Sequence, residues 1–236
     1  MSFLSLIETN IAVFSSNNYN QMEAFLQKLE NICAQYFEIP SCKVSIKQLS
    51  PTRTSFGHIP PACFKRSYHK KSKEQLTTLP EIILNKDIIQ SYSYIKIIKL
   101  LMHEWMHYLT YYHLHISPCS NIPNKYLQFI DKADDIKKLH IETLTNKNLA
   151  KSLQKLSPSE FVADLFARDI LSFIAMQTSI TSLRKDATDK IQREEDMQIK
   201  HWNNINKICK SNYSNSNKIE FEKIVTSRRM KNVKTT

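Results

Sequence analysis

The chain carries the pattern H-E-x-x-H, formed by His103, Glu104 and His107. Side chains four residues apart lie one above the other on an α-helix, because the helix makes one turn every 3.6 residues. Two imidazoles at this spacing can bind one Zn²⁺ through their neutral ring nitrogens. A neighbouring carboxylate such as that of Glu104 can reach a water molecule on the metal and accept its proton. The pattern therefore predicts a zinc site with Glu104 as general base.

The residues around this motif are typical of a buried helix. Apolar side chains recur at helical spacing between residues 94 and 109, at Ile98, Leu101, Trp105 and Leu109. The alternative is a core helix without a metal. That alternative would bury three ionisable groups, which is costly unless each of them finds a partner. We therefore expect a helix that presents the motif to a metal ion.

A catalytic zinc site usually has three protein ligands, so a third ligand must come from another part of the chain. Glu160 lies in a second apolar segment, and Asp164 follows it by four residues, on the same helical face. Asp164 can accept the free N–H of a ligand imidazole and fix its orientation. Ala163 and Ala167 are small enough for another helix to approach closely. We therefore expect Glu160 to be the third ligand.

Two alternatives compete with this assignment. Ser157 and Pro158 are typical of a helix start, where Glu160 would serve as a capping-box residue. His113 completes H-E-x-x-H-x-x-T-x-x-H and so stands where metzincins keep a third histidine. In that pattern the chain leaves the helix sharply at a glycine, but this chain has Thr110 there. If the helix continues, His113 turns away from the motif, so it stays the alternative third ligand.

H-E-x-x-H followed by E-x-x-x-D on a later helix resembles the gluzincin metallopeptidases of the thermolysin type. The form E-x-x-A-D-x-F-A, which runs from Glu160 to Ala167, looks most like the ImmA/IrrE-type metallopeptidases. Those are small intracellular proteins often tied to mobile elements or transcriptional regulators. The resemblance covers residues 80–116 and 157–171. The 52 residues between the two motifs depart from the family and imply an inserted helical segment.

The resemblance also implies roles for individual residues. His103, His107 and Glu160 would bind one zinc ion. Glu104 would be the general base. Asp164 would not bind the metal itself but would accept a hydrogen bond from a histidine that does.

From these residues we expect a zinc-dependent metallopeptidase. Glu104 would take a proton from water and pass it to the leaving amine. A protein or peptide substrate is expected along the strand at residues 81–85, as an added strand. Tyr111, one turn past His107, is a candidate for stabilising the oxyanion of the transition state.

The charge of the chain supports a different hypothesis. Its net charge is +11, from 33 Lys and Arg against 22 Asp and Glu, and a basic surface attracts nucleic acid. Basic residues are dense from Lys65 to Lys73 and in the C-terminal tail, although such runs are usually solvated loops. The alternative function is therefore a non-catalytic, zinc-stabilised regulatory or nucleic-acid-binding protein.

Composition excludes several other classes. Gly57 is the only glycine, which argues against a P-loop or a Rossmann phosphate loop. The five cysteines are scattered without a C-x-x-C pattern, as in a protein from a reducing compartment. There is no apolar stretch of about 20 residues, and the N-terminus lacks the basic region of a signal peptide. We therefore expect no membrane span and a cytoplasmic protein.

Periodicity predicts an α+β fold, namely a mostly helical zincin-like domain with a small N-terminal β-sheet. We expect the H-E-x-x-H motif on a buried helix that begins near Asp87 as its cap. Residues 1–211 are expected to form a single domain and residues 212–236 a basic polar tail. The other predicted elements are a helix at 20–38, strands at 43–49 and 81–85, a loop at 50–63, an inserted helical segment at about 120–156, and helices from 157 and at 180–210.

Overall fold

The computed structural model describes residues 2–15, 18–49, 60–65, 80–131 and 158–212. Within these ranges the chain is mostly helical with a small sheet, which confirms the α+β expectation. The helices are α1 Phe3–Thr9, α2 Ile11–Ser15, α3 Tyr19–Tyr36, α4 Lys86–Ile89, α5 Tyr94–His115, α6 Asn124–Ile130, α7 Pro158–Gln177 and α8 Thr181–Asn212, and the strands are β1 Lys43–Lys47, β2 Ala62–Lys65 and β3 Glu81–Asn85.

The three strands form one sheet in the order β1-β3-β2. The central strand β3 pairs parallel to β1 and antiparallel to β2. Its apolar residues Ile82, Ile83 and Leu84 are all buried, as expected for a strand with neighbours on both sides. Since both edges of β3 are already paired, the prediction that a substrate adds to residues 81–85 is wrong.

The sequence also predicts a loop where β2 lies. Ala62, Cys63 and Phe64 follow two prolines and are too few to show a clear alternation. They become a strand through pairing with β3, in the register Cys63 opposite Ile83. This pairing depends on tertiary structure, which local propensity does not capture.

Helix α3 covers the outer edge of β1. Three of its polar side chains lie on one helical face, and they accept hydrogen bonds from alternate backbone N–H groups along this edge. These bonds run from Ile46 to Glu23 at 2.7 Å, from Val44 to Gln27 at 2.8 Å and from Cys42 to Glu30 at 2.9 Å. Because these N–H groups are already bonded, the edge of β1 has few free hydrogen-bonding groups for another strand.

Helix α5 runs through the core, between the sheet on one side and α7 on the other. Trp105, inside the H-E-x-x-H motif, is fully buried, and its indole N–H donates to the buried Glu30 carboxylate at 3.3 Å. The predicted cap of this helix is wrong. Ser93 caps α5 by accepting from the N–H of Lys96, while Asp87 belongs to the separate short helix α4.

Helices α5 and α7 pack against each other along much of their length. Ala163 and Ala167 of α7 are fully buried. Because neither has more than a methyl group, the two helix backbones can come close together. The close approach of another helix to Ala163 and Ala167, which the sequence predicts, is therefore present.

Several predictions fall partly or wholly outside the described residues. These are the basic segment after Lys65, the tail from residue 213, and most of the inserted segment, of which α6 is described. In the described part of the chain, no helix combines the length and the apolarity needed to cross a bilayer.

We expect Ala163→Leu to destabilise the protein. The added side chain has no space between α5 and α7, so it should force the helices apart and lower the free energy of unfolding by about 1–3 kcal/mol. Urea denaturation followed by circular dichroism measures this change. Ala12→Leu is the matched control, because Ala12 is exposed on α2. Equal stability of the two variants would contradict the close packing.

Candidate metal centre

Three side chains from two helices converge at the interface of α5 and α7. His103 and His107 lie one turn apart on α5, and Glu160 lies in the first turn of α7. Their potential ligand atoms all lie within 4.8 Å of one another. The structure thus brings together the three residues that the sequence predicts as ligands.

The distances within this group are compatible with a bound metal ion. The two Nε2 atoms of His103 and His107 are 3.2 Å apart. Nε2 of His103 is 3.5 Å from Oε2 of Glu160, and Nε2 of His107 is 3.4 Å from Oε1. Ligands placed tetrahedrally at about 2.0–2.1 Å from a zinc ion are separated by about 3.3 Å. The three side chains therefore have the spacing that a tetrahedral ion requires.

The second nitrogen of each imidazole is held by a residue of α7. Nδ1 of His103 lies 2.8 Å from Oδ1 of Asp164. A carboxylate accepts hydrogen bonds, so Nδ1 carries a proton and Nε2 is left for a metal ion. Nδ1 of His107 lies 3.0 Å from Oγ of Ser159, a hydroxyl that can accept in the same way. Such partners fix the ring orientation of ligand histidines in metal sites.

The electrostatics of the group favour a positive charge at its centre. Burial alone would lower the pKa of His103, but hydrogen bonds to Asp164 and Glu160 outweigh this effect and raise the pKa to about 10. Burial would raise the pKa of Glu160, yet hydrogen bonds with His103 and His107 hold it well below its usual range. A proton and a metal ion therefore compete for Nε2 of His103. A divalent metal ion is attracted more strongly than a proton by the carboxylates of Glu160 and Asp164, because it carries more charge.

Glu104, the predicted general base, is 9% exposed, and its negative charge helps to raise the pKa of His103. Within the described ranges it has no hydrogen-bond or ion-pair partner. Burial and, to a smaller extent, the negative charge of Glu104 raise the pKa of the Cys63 thiol on β2. The Glu104 carboxylate is thus close enough to β2 for its charge to act there.

His113, the alternative third ligand, is not part of the group. Helix α5 continues through the buried Thr110 to His115, so His113 turns away from the motif. Its Nδ1 accepts a hydrogen bond from the backbone N–H of Cys119 at 2.9 Å. The capping-box alternative for Glu160 needs Ser157, which lies outside the described residues.

Tyr111, the predicted transition-state stabiliser, lies on the side of α5 that faces β2. Its ring centroid is 5.7 Å from that of Phe64 and 5.4 Å from that of His115. These contacts place Tyr111 beside β2, and its role as a transition-state stabiliser stays a prediction.

Sequence reasoning missed Ser159 and Lys99. Ser159 lies next to Glu160, and Lys99 lies one turn before His103 on α5. Helical spacing alone could have drawn attention to Lys99, because residues four apart share a face. Its partners on α7 and α8 could not have been identified without the fold.

Comparison of the chain with protein-family models, with curated proteins and with solved structures gave no match. Neither a fold family nor an activity therefore follows from a relative. The geometry of the three side chains is the observation that bears on function.

We expect Glu160→Gln and His113→Ala to differ in metal content. The first variant loses an anionic ligand, so it should retain little zinc after dialysis against a metal buffer. The second should bind about one ion per chain, as we expect of the wild type, because His113 accepts a backbone hydrogen bond away from the group. Elemental analysis of the dialysed proteins measures both. Zinc loss on His113→Ala with retention on Glu160→Gln would reverse the ligand assignment.

Proposed function

We propose that this protein is a zinc-dependent metallopeptidase. The observation that carries the proposal is the group of two Nε2 atoms and one carboxylate at tetrahedral spacing. Glu104 is next to His103 in the chain, and its charge acts on that imidazole. Two imidazoles and one carboxylate are a frequent ligand set for catalytic zinc. Among the described residues the group contains three ligands and no fourth. A three-ligand site leaves one position for water or substrate, whereas structural zinc sites are usually closed by four protein ligands.

A bound zinc ion would act as a Lewis acid on a carbonyl oxygen and lower the pKa of a water molecule. The chain's own contribution to the reaction is proton transfer. Glu104 has no competing hydrogen bond within the described part of the chain, so its carboxylate can accept a proton from water. It can then deliver that proton to the leaving amine of a cleaved peptide bond. Asp164 and Ser159 would keep the two imidazoles in place during this transfer.

The sheet supports a peptide as the substrate. The N–H of Asn85 donates to the carbonyl of Pro61 at 2.8 Å. Hydrogen-bonded pairs alternate in an antiparallel ladder, so the N–H and C=O groups of Ala62 and Phe64 point away from β3. In the described ranges, β2 has a partner strand on one side only. An extended peptide can add to this edge beside α5, where its backbone would lie near the metal centre.

We expect Glu104→Gln to keep zinc and lose activity. The amide is nearly isosteric but cannot accept the proton, so cleavage of fluorescently labelled denatured casein should fall roughly 10²–10⁴-fold. Zinc content should stay at the wild-type value, because Glu104 is not a ligand. Glu38→Gln, at an exposed position, is the control and should leave the cleavage rate unchanged.

Two results would count against the proposal. Undiminished turnover by Glu104→Gln would exclude this residue as the general base. A wild-type protein that binds zinc tightly, needs it to fold and cleaves no peptide would instead favour the non-catalytic role.

A further inference from the structure

A chain of charged side chains extends from the metal centre to helix α8. Lys99 lies one turn before His103 on α5, and its Nζ is 3.7 Å from Oδ1 of Asp164. The same Nζ lies 2.8 Å from Oε2 of Glu194 on α8. Glu194 is in turn 2.7 Å from Nζ of Lys190. Charges thus alternate in sign from the carboxylate that holds His103 to the surface of α8.

These charges are largely shielded from water. The side chains of Lys99, Asp164 and Glu194 are only 16%, 18% and 12% exposed. Exposed ion pairs contribute little because water and salt screen them. Partly buried charges interact more strongly, and removal of one leaves its partner without compensation. Lys99 is therefore in a position to influence Asp164.

The distances indicate how Lys99 acts. A separation of 3.7 Å is too long for a hydrogen bond, so Oδ1 of Asp164 remains the acceptor for Nδ1 of His103. The Lys99 ammonium instead makes its closer ion pair with Glu194, at 2.8 Å. Glu194 thus keeps the ammonium close enough to attract Asp164 and too far to compete for the hydrogen bond.

We propose that Lys99 is a positioning residue for the metal centre: anchored by Glu194, it holds Asp164 on the ligand His103 and so couples the docking of α8 to metal affinity. This inference rests on the proposed zinc site. It adds that α8, which supplies no ligand among the described residues, contributes to how tightly the ion is bound. A substitution on α8 would then change the metal centre from outside it.

The first experiment measures zinc affinity by competition with a chromophoric chelator. Lys99→Met should weaken zinc binding by about 10-fold, the lower end of the effect found for groups that support metal ligands. Lys99→Arg keeps the charge and should restore most of the affinity. Glu194→Gln should also weaken binding, and it tests the same link from α8 if Lys99→Met does not fold. Lys125→Met, which breaks a 2.7 Å ion pair with Asp169 elsewhere on α7, is the matched control and should have no effect.

The second experiment separates positioning from simple stabilisation. If Lys99 acts through Asp164, then Lys99→Met should cause no further loss of affinity in an Asp164→Asn background. The absorption spectrum of the Co²⁺-loaded protein should change in Lys99→Met and stay as in the wild type in Lys125→Met, because the spectrum reports ligand geometry.

The results distinguish failure of the positioning role of Lys99 from failure of the proposed zinc site. Unchanged zinc affinity and an unchanged Co²⁺ spectrum in both Lys99→Met and Glu194→Gln would overturn the positioning role. Additive losses in the double variant would do the same, even if the proposed site binds zinc. Failure of the wild type itself to bind zinc or Co²⁺ would overturn the proposed function and this inference together.

Discussion

The antiparallel contact between α5 and α7 is the constraint on which the candidate site depends. Three ligand atoms and their supporting groups are divided between these two helices, and neither helix could hold an ion alone. Ala163 and Ala167 allow the backbones to approach, and this approach places Glu160 within 3.5 Å of both imidazoles. The same contact brings Asp164 and Ser159 to the other nitrogens of the rings. Packing of small side chains therefore determines the geometry of the charged ones.

The sheet has a different and complementary role. Its two outer strands differ in what lies next to them. Side chains of α3 accept hydrogen bonds from the outward N–H groups of β1, whereas β2 contacts the motif helix α5. One edge of the sheet is thus covered by α3, and Phe64 of the other outer strand packs against Tyr111 of α5. This asymmetry is consistent with the proposed use of β2 as a site for an extended peptide.

The sequence predicted those parts of the structure that depend on local spacing. The helix that carries H-E-x-x-H and the placement of Glu160 and Asp164 on one face of α7 both follow from residues four apart. It did not predict β2 or the role of Lys99, because each depends on partners distant in the chain. The cap at Ser93 is a local bond from the N–H of Lys96, and it was missed because the cap was expected at Asp87 instead. The strand forms by pairing with β3, and the role of Lys99 depends on its ion pairs with Asp164 and Glu194. Long-range pairings of this kind leave little trace in periodicity or propensity.

The bond from Trp105 to Glu30 has one more consequence. The indole lies within the motif itself, fully buried, and its N–H meets a carboxylate on a helix from the other side of the core. Trp105 is therefore an intrinsic fluorophore whose emission depends on the position of the motif helix relative to α3. Any event that displaces that helix, at either of its faces, becomes visible as a change in tryptophan fluorescence without an added label.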